Sequence, residues 1–334
     1  MWEIRLEQAR GEIIMKCFLT SDLHSFYTPL KKALSEAGYD INNKDHTLVI
    51  LGDIFDRGDE TIELYHFLKS IPQDRLVLVK GNHEYLLDEL LTKKLPDTHD
   101  YSNGTVKTCC HMAFKSLHVA NKNADLLQEL DYDISYSALW RGFYSGPDAS
   151  TSDQDVVSYA KGKWREIVKR VKNSEIYEWY KNLNWAHYWE AGKYIGVHSF
   201  VPVKPISTCP CSKSKQMNAI YYGTTSWFEA DPNWRDADAW QWELSTWGCP
   251  YVFMEAGLFP EQGSKTLICG HYATSEFHQH YNTSPYSDGD HSIYYGSSLI
   301  ALDSSVAWSK RVNILVIDEN GECLSRMGKN SYNS

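Results

Sequence analysis

Five polar clusters in the sequence each stand at or just after a short apolar run: Ser21-Asp22-Leu23-His24, Gly52-Asp53-Ile54-Phe55-Asp56-Arg57-Gly58, Gly81-Asn82-His83-Glu84, Gly196-Val197-His198 and Gly270-His271. Taken singly, each has an ordinary explanation. A histidine after a strand usually packs or hydrogen-bonds in the core, and a Gly-Asp is usually a turn. Five such clusters in the same setting would require those ordinary explanations to coincide. Asp, Asn and His with no Cys among them are the donor set of a divalent-metal site of mixed oxygen and nitrogen ligands, suited to Mn, Fe or Zn rather than calcium.

The elements that must position these clusters follow from periodicity. Short β-type runs occur at 17–20, 47–51, 76–79, 194–197, 266–269, 299–302 and 312–317. Between the first of them, Thr28-Pro29 reads as an N-cap with first-turn proline and Gly38 as the residue closing that helix. Leu64, Phe67, Leu68 and Ile71 give a second helix one apolar face. Strand and helix in alternation mean an α/β core. In an open α/β sheet the carboxyl ends of the strands share one edge, so side chains following successive strands converge there.

The clusters are unevenly spread. From 87 to 189 strand signals stop and helical, aromatic-rich sequence takes over, as in 156–172 and 174–183; this reads as a helical cap inserted into a core made of 15–86 and 190–320. A second stretch, about 201–262, reads as long loops with short elements. Ten of the twelve tryptophans, Trp140 to Trp247, fall in these two stretches. The Trp and Tyr positions from Tyr132 to Trp189, at near-helical spacing, are expected to serve as core of the helical insert before any ligand-stacking role.

Composition excludes several classes. The 334 residues suffice for a full core without staples. A formal net charge of −10 speaks against general nucleic-acid binding, which needs Lys and Arg on phosphates. No apolar run approaches the ~20 residues of a membrane span. Charged residues from Glu3 to Glu12 leave no apolar leader, and eight sparse cysteines fit a reducing compartment, so the cytosol is expected. Neither Cys109-Cys110 nor Cys209-Pro210-Cys211 has zinc-site spacing, and His278, His280 and His291 are expected to lie in a solvated loop.

At the five clusters the sequence resembles the calcineurin-like metallophosphoesterases, whose pattern is Asp-x-His, Gly-Asp-x-x-Asp, Gly-Asn-His-Glu, a His and then Gly-His. Arg57-Gly58 after Asp56 is the form of the phosphoprotein phosphatase branch, which includes serine/threonine phosphatases and symmetrical diadenosine tetraphosphatases. The resemblance implies a four-layer α/β/β/α sandwich. It implies two divalent ions, manganese first and Fe or Zn next. Asp22 and His24 would serve the first ion, Asp53 would bridge both, and Asn82, His198 and His271 would complete the second. Two cations about 3.5–4 Å apart hold a bridging hydroxide and clamp phosphoryl oxygens during in-line attack. His83 would be the general acid, Asp56 its orienting partner and Arg57 a phosphate-binding fork. The branch also carries a second phosphate-binding arginine. Arg235 is the only arginine between the last two histidine motifs and takes that role by elimination.

Some positions depart from the pattern. Ser21 and Ser25 stand where glycines are usual, and Gly270-His271-Tyr272-Ala273 lacks the second histidine of many phosphodiesterase branches, which favours monoesters. The expected activity is serine/threonine protein phosphatase-like hydrolysis of phosphate monoesters, with a phosphorylated protein or small ester as partner. Hydrolysis of diadenosine polyphosphates is the alternative enzyme, and a non-catalytic metal-binding scaffold the alternative class. The oligomeric state is not legible.

Overall fold

The computed structural model describes residues 15–143, 152–207, 209, 212–281, 289–318 and 321–324. The strands are β1 (Lys16–Thr20), β2 (His46–Leu51), β3 (Leu76–Val79), β4 (Trp189–Ala191), β5 (Tyr194–Gly196), β6 (Val203–Pro205), β7 (Phe228–Ala230), β8 (Thr266–Cys269), β9 (Tyr294–Tyr295), β10 (Leu299–Ala301) and β11 (Leu315–Asp318). One sheet has the order β11-β1-β2-β3, the second β4-β5-β8-β10-β9, and β6 pairs with β7 alone. β1, β2 and β3 run parallel, as do β5, β8 and β10, while β11, β4 and β9 pair antiparallel at or near the edges.

Period-two alternation assigns each strand residue to a layer. Leu19, Val49, Leu51 and Val79 of the first sheet face Trp189, Ile268 and Ile300 of the second in one dry interface. Phe18, Leu48, Ile50 and Leu78 point the other way, into helices. Ile195, Leu267 and Leu299 do the same on the far side, against Trp234, Trp242, Phe253 and Phe277. The result is the expected α/β/β/α sandwich. Truncating a fully buried member such as Leu51 to alanine costs about 2–5 kcal/mol by lost transfer and cavity energy.

The helices of the first half are α1 (Tyr27–Glu36), α2 (Thr61–Ser70), α3 (Asn82–Leu90), α4 (Thr98–Ser102), α5 (Thr105–Ala113), α6 (Leu117–Phe143), α7 (Ser152–Lys172) and α8 (Glu175–Lys181). α1 ends as expected, with Gly38 at φ 80°. Its start differs: Phe26 is the N-cap, and Glu60 takes the role assigned to a local cap by accepting from the Thr28 N–H and hydroxyl. α8 is capped by Ser174, whose hydroxyl accepts from Tyr177 N.

The described helices between 87 and 189 have no core separate from the first sheet's helical face. Val106, Cys109, Leu127, Trp164, Ile167 and Tyr180 belong to the same buried cluster as Leu64 and Leu68 of α2. Within 201–262, short helices at Lys213–Tyr221, Ala239–Ser245 and Pro250–Glu255 cover the second sheet. Trp164, Trp234 and Trp242 are buried there and in α7, so much of the aromatic load is core. Among the described residues, no helix is long and apolar enough to cross a membrane.

Candidate metal centre

The five clusters meet at the carboxyl edge of the two sheets. Six of their non-glycine residues, Asp22, His24, Asp53, Asp56, Arg57 and His271, and the adjoining Ser25 have φ between 47° and 78°. Left-handed backbone is costly for residues with a Cβ, and its concentration at one edge is strain held in place by the surrounding core. Tight approach explains the glycine in Gly270-His271: a Cβ on Gly270 would collide with the Asp22 carboxylate. That carboxylate accepts from His271 N at 2.9 Å, tying the first cluster to the last.

Hydrogen bonds to backbone carbonyls fix two imidazoles. A carbonyl only accepts, so His198 Nδ1 donates to Leu51 O at 2.7 Å and His24 Nδ1 to Phe55 O at 3.1 Å. Each Nε2 is left with a lone pair, the arrangement of a metal-ligating histidine oriented from behind. His24 Nε2 lies 3.7 Å from Asp53 Oδ2, and His198 Nε2 lies 3.4 Å from Asp53 Oδ1 and 2.8 Å from Asn82 Oδ1. Two groups of ligand atoms converge in this way, His24 with Asp53 and His83, and Asp53 with His198 and His271. Asp53 belongs to both. The donor set, nitrogen and oxygen without thiolate, fits two divalent cations.

Asp53 is itself held from behind. His83 N, at the start of α3, donates to its Oδ1 at 3.1 Å, placing the carboxylate at a helix N-terminus. Glu84 accepts from the N–H groups of Asp53, Ile54 and Gly81 at 2.8–3.0 Å, so its buried carboxylate stitches the second motif loop to the start of α3. Glu84 stood in the sequence motif without a role. Its spacing three residues after the Gly81 cap is the signal for one half of this contact.

His83 is oriented differently from the other two. Its Nδ1 donates to Asp56 Oδ2 at 2.7 Å, and its Nε2 lies 3.3 Å from Arg57 Nη2. Asp56 is held in turn by α5: Thr105 Oγ1 donates to its Oδ2 at 2.7 Å, and Asp56 N donates to Thr108 Oγ1 at 3.0 Å. Sequence reasoning did not single out these threonines. Their i, i+3 spacing after Gly104 puts them on one helix face, but nothing local says which loop that face meets.

Electrostatics follow from burial in close quarters. Burial and the Asp53 charge push Asp22 up to about 8. Asp53 is also pushed up by burial, but His198, His83, His24 and His271 outweigh it and hold the carboxyl below its ordinary range. Burial lowers His24 strongly and brings His271 down to about 3, keeping both imidazoles neutral with lone pairs available. Burial also lowers His83, yet Asp53 and Asp56 together raise it above its ordinary value. Asp303, raised by burial and by Asp22, adds a third buried carboxyl beside the pair. For Asp22 and Asp303 the Arg57 guanidinium partly offsets this burial.

Arg235 is the exception among the expected site residues. Its guanidinium forks onto Glu190 at 3.0 Å and Glu261 at 2.7 Å. Glu190 also pairs with Lys265, which precedes the first residue of β8, whereas His271 follows its last. The strand alone separates those ends by about 13 Å at 3.3 Å per residue. Choosing by residue type could not see two acidic partners remote in sequence. His278 and His280 lie on the helix Thr274–Tyr281 rather than in a loop, and His280 bonds Glu255. Cys109 and Cys110 are buried thiols raised by desolvation, and Cys209 is buried, while Pro210 and Cys211 lie outside the described residues.

A model of the calcineurin-like phosphoesterase family matches residues 15–206. The chain is 36% identical over 70 residues to a symmetrical bis(5'-nucleosyl)-tetraphosphatase of Proteus mirabilis and 33% identical over 70 residues to one of Buchnera aphidicola. Each match spans 21% of this chain and only 24% of the relative. Among solved structures, a cold-active protein-tyrosine phosphatase of Shewanella is similar with a TM-score of 0.44 and 17% identity, covering 92% of this chain and 76% of that one. A putative diadenosine tetraphosphatase follows at a TM-score of 0.39 and 14% identity, covering 92% and 91%. A serine/threonine phosphatase of Saccharomyces cerevisiae gives a TM-score of 0.37 and 12% identity, covering 88% and 68%.

Proposed function

Because the chain belongs to the calcineurin-like phosphoesterase family, we propose that its strand-end cluster hydrolyses phosphate monoesters with two divalent cations, manganese foremost. The observation that carries this reading is Asp53, whose two carboxylate oxygens each face a separate group of histidine nitrogens. Asp22, His24 and Asp53 would hold one ion; Asp53, Asn82, His198 and His271 would hold the other. Cations bound there supply Lewis-acid charge and an activated water.

The chain's own residues do the rest. Arg57, with a planar fork and no acceptor atoms, binds a non-bridging phosphoryl oxygen. His83 stands 3.3 Å from that guanidinium and gives its proton to the leaving oxygen, since Asp53 and Asp56 keep the imidazole more basic than usual. Asp56 takes the Nδ1 hydrogen bond and so points Nε2 at the substrate. The test is turnover of p-nitrophenyl phosphate with manganese. Wild type is expected to be active and Asp53→Asn inactive, and undiminished activity in Asp53→Asn rejects the assignment.

A protein phosphatase-like substrate and a diadenosine polyphosphate both suit this chemistry. The second reading is favoured by both curated relatives being named symmetrical tetraphosphatases, across the quarter of their length that is matched. Comparing kcat/KM on a phosphoserine peptide with that on diadenosine tetraphosphate decides between them. A thousandfold preference corresponds to ~4 kcal/mol of transition-state discrimination.

A further inference from the structure

Trp308 is 87% exposed, the most exposed large hydrophobic side chain among the described residues. An exposed indole is unusual in a chain that buries Trp164, Trp234 and Trp242 completely or nearly so. The backbone that presents it is neither frayed nor generic. Trp308 sits in the one-turn helix Val306–Ser309, bracketed by Ser305 at φ 51° and Lys310 at φ 55°. Two left-handed residues with side chains around four residues is costly backbone. It is pinned by Ser305 N donating to Asp303 Oδ1 at 2.7 Å, by buried Val306, and by Lys310 Nζ lying 4.9 Å from the Phe26 ring centroid. Asp303 follows β10 at the same strand-end edge as the metal cluster, so the indole is held beside that cluster.

A cavity of about 810 Å³ opens between this indole and the start of α5, lined by Arg57, Lys107, Asp125, Gln128 and Trp308 among others. Arg57 joins this cavity to the proposed general acid, since its Nη2 lies 3.3 Å from His83 Nε2. Gly104 closes the floor so tightly that a Cβ there would meet Arg57 N at 2.5 Å. Beyond Arg57 the lining carries no surplus positive charge. Lys107 is 2.7 Å from Asp59, and Asp125 adds a second carboxylate. A single arginine at the inner end therefore suits one phosphate, and the outer part suits a neutral aromatic group with hydrogen-bonding edges.

We propose that this cavity holds the nucleoside of a nucleotide substrate, with the phosphate at Arg57 and the base stacked on Trp308. The volume is that of a small-molecule site, and every base offers a face to an exposed indole. The inference rests on the phosphoesterase reading for its phosphate end and adds the substrate class. A phosphoserine or phosphothreonine residue carries no planar ring of its own to meet the indole.

The test uses the full chain with manganese and calorimetric titration of AMP in its uncleavable form, with methylene in place of the 5'-ester oxygen, and, separately, of inorganic phosphate. Trp308→Ala is expected to weaken AMP by roughly tenfold or more, the order that losing one base–aromatic stack carries, and to leave phosphate within twofold. Trp308→Phe is expected to recover most of the loss. The proposal is overturned if wild type does not bind AMP, if Trp308→Ala binds AMP as well as wild type, or if AMP and phosphate weaken together. Failure to hydrolyse p-nitrophenyl phosphate would count against the phosphoesterase reading alone, because binding of the uncleavable AMP analogue that depends on Trp308 is measured without turnover.

Discussion

Thr105 Oγ1 donates to Asp56 Oδ2 at 2.7 Å, the same oxygen that accepts from His83 Nδ1 at 2.7 Å. A helix of the insertion thus reaches the carboxylate that orients the proposed general acid. Thr108, one turn on, accepts from Asp56 N and fixes the same residue through its backbone. The 87–189 segment contributes to the site in this way through α5. Thr105→Val keeps shape and removes the donor, and hydrogen bonds to charged groups are worth about 1.5–3 kcal/mol. The expected outcome is a kcat on p-nitrophenyl phosphate lowered by about tenfold with bound metal unchanged. Thr105→Ser is expected to restore it, whereas equal losses in both variants would mean a packing defect.

His83 has two possible attachments that mutation can separate. Its Nε2 lies 3.8 Å from Asp53 Oδ2 and so falls within the first ligand group, yet its Nδ1 partner is a carboxylate rather than a backbone carbonyl. If it is the acid, His83→Asn keeps both ions by elemental analysis and loses about 10²–10⁴ in kcat. Asp53→Asn, by contrast, is expected to lower metal content as well as activity. Loss of an ion from His83→Asn would make it a ligand.

Metal removal has a stability consequence. Asp22, Asp53 and Asp303 bury three carboxyls at one edge, with burial and mutual repulsion raising Asp22 to about 8 and Asp303 well above its ordinary value. Cations that bind only the folded chain stabilise it by about 4 kcal/mol at a free concentration a thousandfold above the dissociation constant. Chelation should therefore lower the calorimetric Tm by several degrees, and manganese should restore it. A Tm indifferent to chelator would show that the cluster does not hold metal in solution.

Most of the architecture was legible because the central strands are short, doubly buried and bounded by breakers. Leu76–Val79 and Thr266–Cys269 coincide with their apolar runs, the second ending at Gly270. The edge strands Trp189–Ala191 and Tyr294–Tyr295 were not, because two or three residues are too few to make an apolar run even where they pack between the sheets. The site was legible wherever a motif follows a strand, since the fold brings those ends together whatever lies between. It was illegible where a contact joins a motif to an insertion, as Thr105 to Asp56, or where an arginine finds acids 45 and 26 residues away, as Arg235 does. Such pairs leave no periodic trace.

Acid sensitivity should trace in part to His111 of α5. This buried imidazole bonds Thr61 Oγ1 at 3.0 Å through Nδ1 and Asn121 Oδ1 at 2.8 Å through Nε2, and burial lowers it from its ordinary value more than Asn121 raises it. The unfolded chain therefore takes up its proton near pH 6.5 while the folded chain still resists. Below that pH the unfolded state binds more protons, so stability present above about 6.5 is lost as pH falls and levels off once the folded imidazole also titrates. Buried His24 and His271 shift in the same direction, so one acid scan cannot isolate His111. A double difference can: urea midpoints at pH 7.5 and 5.5 for wild type and for His111→Gln, both with chelator. The variant is expected to be less stable at pH 7.5 by about 1–3 kcal/mol for the disturbed bonds, and to lose less than wild type on acidification. An identical loss in both proteins would place the acid response elsewhere, at the other imidazoles that burial lowers, among them His24, His271, His46 and His187.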